Sequence, residues 1–273
     1  MINTVKTNGI SLSYEERGEG EPLILIMGLG APGSKWEPHI RAYEKHFRVL
    51  ALDNRGAGFS DKPNLEAYTT AQMADDVIGL MDALNITSAH LHGISMGGAI
   101  AQIAAIQHPE RVRSLILTSA FARPNVPFRR AIELLRDSCG KVDGSTQNHL
   151  TQWIIYSHTF MNQNENFILE LEKSDLASTV PPMPTFAYKA QCAACLSHNA
   201  FPKLGSIQCP TLVASGDADL FTPVDLTMEM VDHIPGATLY MCTDGGHVHH
   251  WEQLEAFNDA TLRFLLDHRT GER

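Results

Sequence analysis

An α/β fold, with a mostly parallel, doubly wound sheet and a helical cap insertion, is what this 273-residue sequence predicts, and three observations carry the prediction. Strand-like apolar runs alternate with helix-like segments through the first 120 residues. The run 23–27 is continuously apolar, as a strand covered on both faces requires. Strand signals then stop between 121 and 204 and resume at 211–215. A chain of this length can bury one large core, so the expected division is a core of 1–120 and 205–273 with a helical cap of 121–204.

Taken in order, residues 10–16 alternate apolar and polar side chains, the pattern of a half-covered strand. Buried strands follow at 23–27 and 48–53. Within 70–84, Met73, Val77, Leu80, Met81 and Leu84 share one helical face, and Thr69 or Thr70 supplies the cap. A strand at 89–93, a helix at 96–107 stopped by Pro109, and a strand at 114–118 continue the alternation. Inside the insertion, helix-like segments 128–139, 149–160 and 166–175 are punctuated by Pro181-Pro182-Met183-Pro184. Trp153, Phe160, Met161, Met183 and Phe186, with Phe167 and Tyr188, are the apolar side chains available there, either to line a substrate pocket or to pack cap on body. Strands resume at 211–215 and 237–241.

Composition narrows the function. A net charge of −10 with no basic stripe argues against a nucleic-acid partner, and no polybasic or strongly amphipathic segment points to a membrane. The N-terminal residues lack the apolar core of a secretory signal, so a cytoplasmic location is expected. A small, uncharged or weakly charged substrate fits this balance. Five cysteines, an odd number, do not form a disulfide framework. Cys192 and Cys195 make the only C-x-x-C pair, and His198 extends it at helical spacing. No second pair supplies a fourth ligand, so these read as small packing residues and no metal is expected.

The chemistry gathers at strand ends. Gly93-Ile94-Ser95-Met96-Gly97-Gly98 joins a strand to a helix, and glycines flanking a serine permit a turn too sharp for a Cβ. Alone, this pattern also describes a plain Gly-Ser turn. A serine hydroxyl needs a base, and an imidazole base needs a carboxylate to fix its tautomer. Both follow in the chain: Gly216-Asp217-Ala218-Asp219 leaves one later strand, and Gly245-Gly246-His247 leaves the last. Ser, Asp, His is a known order for such a triad.

With these motifs and Asp53-Asn54-Arg55-Gly56-Ala57-Gly58-Phe59-Ser60, similar to a D-x-R-G-x-G-x-S loop, the chain resembles the α/β-hydrolase superfamily. The likeness is to its cap-bearing esterase, enol-lactonase and C–C hydrolase branch, and it covers nearly everything outside the cap. It implies Ser95 as nucleophile, His247 as base and Asp219 as acid, because the family's G-x-x-D with proline four residues on fits Asp219 and Pro223. Asp217 remains the competitor for the acid. His249 and His250 are worse placed than His247 relative to the Gly-Gly turn, and His92 reads as structural. Where the family carries His-Gly, this chain has Met27-Gly28-Leu29-Gly30. That loop works through backbone, so the resemblance still implies an oxyanion hole from the N–H groups of Leu29 and Met96.

Haloalkane dehalogenases and epoxide hydrolases are excluded, since they place aspartate where Ser95 stands. The glycine clusters do not continue as G-x-G-x-x-G into a helix, so a dinucleotide reading fails too. The expectation is a cofactor-free serine hydrolase that cleaves a small ester or lactone through an acyl-enzyme. Leu29-Gly30 and the D-x-R-G-x-G-x-S loop are similar to enol-lactonases. Gly30-Ala31-Pro32-Gly33 suggests an alternative, hydrolysis of a C–C bond in a vinylogous diketone. A third reading, from another class, is a ligand sensor with slow or no turnover.

Overall fold

The computed structural model describes residues 2–176 and 179–269. Met1, 177–178 and 270–273, which fall within the expected domain bounds, lie outside the described residues. Among the described residues, eight strands form one sheet: β1 (Ile2–Thr7), β2 (Ile10–Arg17), β3 (Pro22–Ile26), β4 (Arg48–Leu52), β5 (Ala89–Ile94), β6 (Val112–Thr118), β7 (Thr211–Gly216) and β8 (Thr238–Cys242). Their spatial order is β1-β2-β4-β3-β5-β6-β7-β8. The ladders from β4 through β8 are parallel, and β1 and β2 are antiparallel additions at one edge.

The period of two along each strand explains why helices cover both faces. In β3, Ile24 and Ile26 enter one apolar cluster while Leu23 and Leu25 enter the other; in β4, Leu50 and Leu52 part from Val49 and Ala51 in the same way. The first cluster takes in α2 (Thr70–Ala83), α3 (Met96–Gln107) and α9 (Val224–His233). The second takes in α1 (Glu37–Tyr43) and α11 (Leu254–Asp267). A charged pair sits inside this body, with Arg55 forking onto both carboxylate oxygens of Asp76 at 2.5 and 2.6 Å.

Among the described residues, five α-helices lie between β6 and β7: α4 (Val126–Ser138), α5 (Gly144–Ile155), α6 (His158–Gln163), α7 (Glu165–Leu176) and α8 (Thr185–Ser197). The single helix expected over 149–160 is two helices. Asp143 caps α5 by accepting from the Thr146 N–H, and Ser157 breaks the run by accepting from the Phe160 N–H to start α6. Helix α8 is sunk into the body, with Cys192 and Cys195 buried in the first core cluster as free thiols, and α4 joins that cluster through Phe128, Ile132 and Leu135. The Tyr68 N–H also donates to the Ala190 carbonyl from across the chain. Among the described residues no helix is long and apolar enough to cross a membrane.

Candidate active site

The sharp turn expected around Ser95 is present. Ser95 sits between β5 and α3 with φ 54° and ψ −118°, a backbone state that side-chain-bearing residues rarely adopt. Its neighbours make that state possible: a Cβ on Gly93 would run into the Gly97 backbone, and one on Gly97 would run into the Ile26 carbonyl. The Ser95 N–H donates to the Thr118 carbonyl at 2.8 Å, extending the β5–β6 ladder into the turn. Met96, the first residue of α3, has a backbone N–H with no acceptor available within its own helix.

Contact distinguishes Asp219 from Asp217. Asp219 is buried and its Oδ2 lies 2.9 Å from His247 Nδ1, whereas Asp217 is exposed two residues earlier. The Asp219 carboxylate accepts three more hydrogen bonds, from the N–H groups of Phe221 and Thr222 at 2.8 Å and from the Thr222 hydroxyl at 2.6 Å. That fixes which oxygen faces the imidazole and makes His247 Nδ1 the donor, leaving Nε2 with its lone pair. Phe221 packs its ring edge-on against His247 at 4.9 Å. Behind it, the Ser119 hydroxyl donates to the His247 carbonyl at 2.7 Å.

The loop after β3 is braced from three directions. The Gly33 N–H donates to Asp53 Oδ1 at 2.7 Å, Asn54 Nδ2 donates to the Met27 carbonyl at 2.7 Å, and the Gly30 N–H donates to Gln191 Oε1 at 2.9 Å. Gln191 in turn donates to the Arg55 carbonyl, so α8 ties this loop to the D-x-R-G-x-G-x-S loop. Burial pushes the Asp53 carboxyl up, opposed by the N–H groups of Phe59 and Gly33. Gly28 lies against the serine: a Cβ there would sit 3.2 Å from Ser95 Cβ. Leu29 follows it on the wall of a cleft of about 710 Å³ that Ser95 and His247 also line.

Of the five cap side chains expected to line the pocket, Met183 is on the cleft wall and four are elsewhere. Trp153 is 56% exposed and Phe186 37% exposed, both facing away. The break at Ser157 turns α6 toward α7, so Phe160 stacks on Tyr156 at 5.6 Å and meets Phe167 edge-on at 5.9 Å, while Met161 stays half-buried on the same short helix. Tyr188, also among the side chains the sequence offered, does line the cleft, together with Leu135, Thr151 and Ile155.

Three contributors escaped the sequence reading. Thr222 stands inside the very run that supplied Asp219, but nothing in its spacing marks a hydroxyl aimed at the carboxylate. Gln191 and Glu252 act over long separations and have no local signal. Glu252 accepts from the Gly246 N–H at 2.9 Å and from the Ser157 N–H at 2.7 Å, joining the loop that carries His247 to the α5–α6 break. The remaining histidines behind the elbow are neutral, since burial pushes His39 and His249 down to about 4 and His92 lower than its ordinary range.

Comparison with known proteins agrees with this fold. A Caulobacter sp. (strain K31) protein provisionally named carbamate hydrolase RutD is 30% identical, covering 90% of this chain and 90% of its own. The 2-hydroxy-6-oxo-6-phenylhexa-2,4-dienoate hydrolase of Comamonas testosteroni is 32% identical over 93% and 91% of the two chains. The crystal structure of the enol-lactonase from Burkholderia xenovorans LB400 superposes with a TM-score of 0.87 at 27% identity, covering 97% of this chain and all of that one. The family model described as alpha/beta hydrolase fold matches residues 21–254, and the chain belongs to the α/β-hydrolase family.

Proposed function

We propose that the protein is a serine hydrolase that cleaves a small carboxylic ester or lactone through an acyl-enzyme, with no cofactor. One observation carries this reading: a serine in a strained turn shares a cleft with a histidine whose Nδ1 is held on a buried carboxylate. His247 Nε2 takes the Ser95 hydroxyl proton as Oγ bonds to the carbonyl carbon, and the carbonyl π pair moves onto its oxygen. That oxyanion is met by the N–H groups of Leu29 and Met96. As it collapses, the alcohol departs with the proton from His247. Water, deprotonated by the same imidazole, then attacks the acyl carbon and releases Ser95. In a lactone the leaving alcohol stays tethered, so the product is a single hydroxy acid. The likeness to an enol-lactonase structure supports this substrate class.

A second reading, hydrolysis of a C–C bond in a vinylogous diketone, is favoured by the Comamonas testosteroni relative. It uses the same serine with a carbanion in place of the alkoxide. A fluorophosphonate followed by peptide mapping tests the nucleophile: adduct on Ser95 is expected, and a folded protein left unlabelled points to a binding protein instead. Parallel assays with aryl esters, lactones and ring-fission diketones separate the first two readings, and Ser95→Ala abolishes turnover under both.

A further inference from the structure

We infer that His250 presents a hydrogen-bond acceptor to the cleft and favours substrates that carry a hydroxyl or N–H donor on the acyl part. This deepens the hydrolase reading above and rests on it. His250 belongs to the short helix α10 (His249–Glu252), lines the same cleft as Ser95, and is otherwise buried. Its Nδ1 lies 3.0 Å from His39 Nε2, and His39 Nδ1 lies 2.6 Å from Asn258 Oδ1.

The protons along this chain are fixed from its far end. An amide oxygen only accepts, so His39 Nδ1 carries the hydrogen. His39 is neutral, which leaves its Nε2 as an acceptor, so the hydrogen between the rings belongs to His250 Nδ1. His250, neutral by the same burial, then has one polar atom left to offer, Nε2 with a lone pair. Tight packing holds the rings in place: Phe257 contacts His39 at 5.5 Å and His250 at 5.8 Å, and Trp251 contacts His250 at 4.7 Å. The arrangement Asn258–His39–His250 repeats the logic of Asp219–His247, with an amide in place of the carboxylate, so it sets a tautomer without accumulating charge.

An acceptor desolvated by a bound substrate is costly unless that substrate supplies a donor. A hydroxyl or amide N–H on the acyl part satisfies Nε2, while an alkyl group strands it and a carboxylate meets it lone pair to lone pair. Discrimination by such a group exceeds what an apolar wall achieves by shape.

The test begins with the tautomer. Long-range proton–nitrogen NMR of protein labelled with ¹⁵N-histidine is expected to show Nδ1–H, Nε2-unprotonated rings for His39 and His250. A hydrogen on His250 Nε2 overturns the proposal whether or not the protein turns over esters, so this failure is distinct from a failure to label Ser95. The second arm compares kcat/KM for 4-nitrophenyl esters of 2- and 3-hydroxybutyrate with 4-nitrophenyl butyrate. A preference of about tenfold for at least one hydroxy ester is expected, and His250→Phe brings that ratio to about one. Should His250→Phe not fold, His39→Leu, which releases the tautomer, serves in its place. No preference for either hydroxy ester, or a ratio unchanged in the folded variant, overturns the proposal.

Discussion

Ser95 is held at φ 54° by its surroundings rather than by its own preference. A non-glycine residue in such a region costs on the order of 1–3 kcal/mol, so the turn stores energy that glycine would release. Ser95→Gly is therefore expected to be inactive yet more stable than Ser95→Ala, by about 1 kcal/mol or more in urea unfolding. At the acid, Asp219→Asn is expected to lower kcat by on the order of 10³–10⁴, because an amide can hold His247 in the wrong tautomer. Asp217→Asn, exposed and without that contact, leaves kcat within about twofold, where surface changes normally fall. The reverse ranking in steady-state kinetics would reassign the carboxylate. Ser95 and His247 could be picked out in the chain because glycines beside them mark a strand end, whereas Asp219 was separated from Asp217 only by the spacing the family resemblance implies. Thr222 and Glu252 could not be picked out, since a hydrogen bond made across space leaves no period or spacing behind.

Among the elements, what could be read followed how uniform the burial is. The strands β3 and β4 hold unbroken apolar runs, Leu23 to Ile26 and Val49 to Leu52, and stand out, while β5 is interrupted by His90 and His92. The helices α1 and α11 do not stand out, because their inward faces carry His39, Asn258 and Thr261, polar residues that satisfy one another only in the fold. The hairpin of β1 and β2 turns through Asn8 at φ 49° and Gly9 at φ 77°, an Asn-Gly signal that was present in the sequence. The exposed, alternating face of β1 gave it little apolar contrast. Pocket residues in the cap were the least legible, for a one-turn change in where α5 stops decides which way Phe160 and Met161 face. The bracing of the loop after β3 makes its own prediction. Gln191→Leu removes the acceptor for the Gly30 N–H, and kcat is expected to fall roughly ten- to hundredfold through misplacement of the Leu29 amide, with circular dichroism unchanged.

For the molecule as a whole, buried charge and buried neutral histidine set the response to mutation and to acid. Arg55 and Asp76 are 2% and 3% exposed at the side chain, so Asp76→Ala leaves a guanidinium without its partner and is expected to lower unfolding free energy by about 3–5 kcal/mol. His39, His198 and His249 have folded values near 4 against an ordinary 6.5, each lowered first by desolvation. Between those limits the unfolded chain binds more protons than the folded one, so stability is full above about pH 6.5 and falls as pH drops toward 4. Each such histidine adds up to about 1.4 kcal/mol per pH unit to that slope. Denaturant titrations at pH 7, 6 and 5 measure it, and His198→Gln is expected to make it shallower.

One carboxylate joins the two halves of the cleft. Glu252 grips the loop that carries His247 with one oxygen and the α5–α6 break of the insertion with the other. His247 therefore takes its bearings from the insertion as well as from the sheet. In the proposed mechanism, a bulky substrate that shifts α5, which lines the cleft, pulls on the imidazole at the same time, so a poor fit slows proton transfer as well as weakening binding. Changes of selectivity made in the insertion will carry a change of turnover with them, and the two properties of this protein are inherited together.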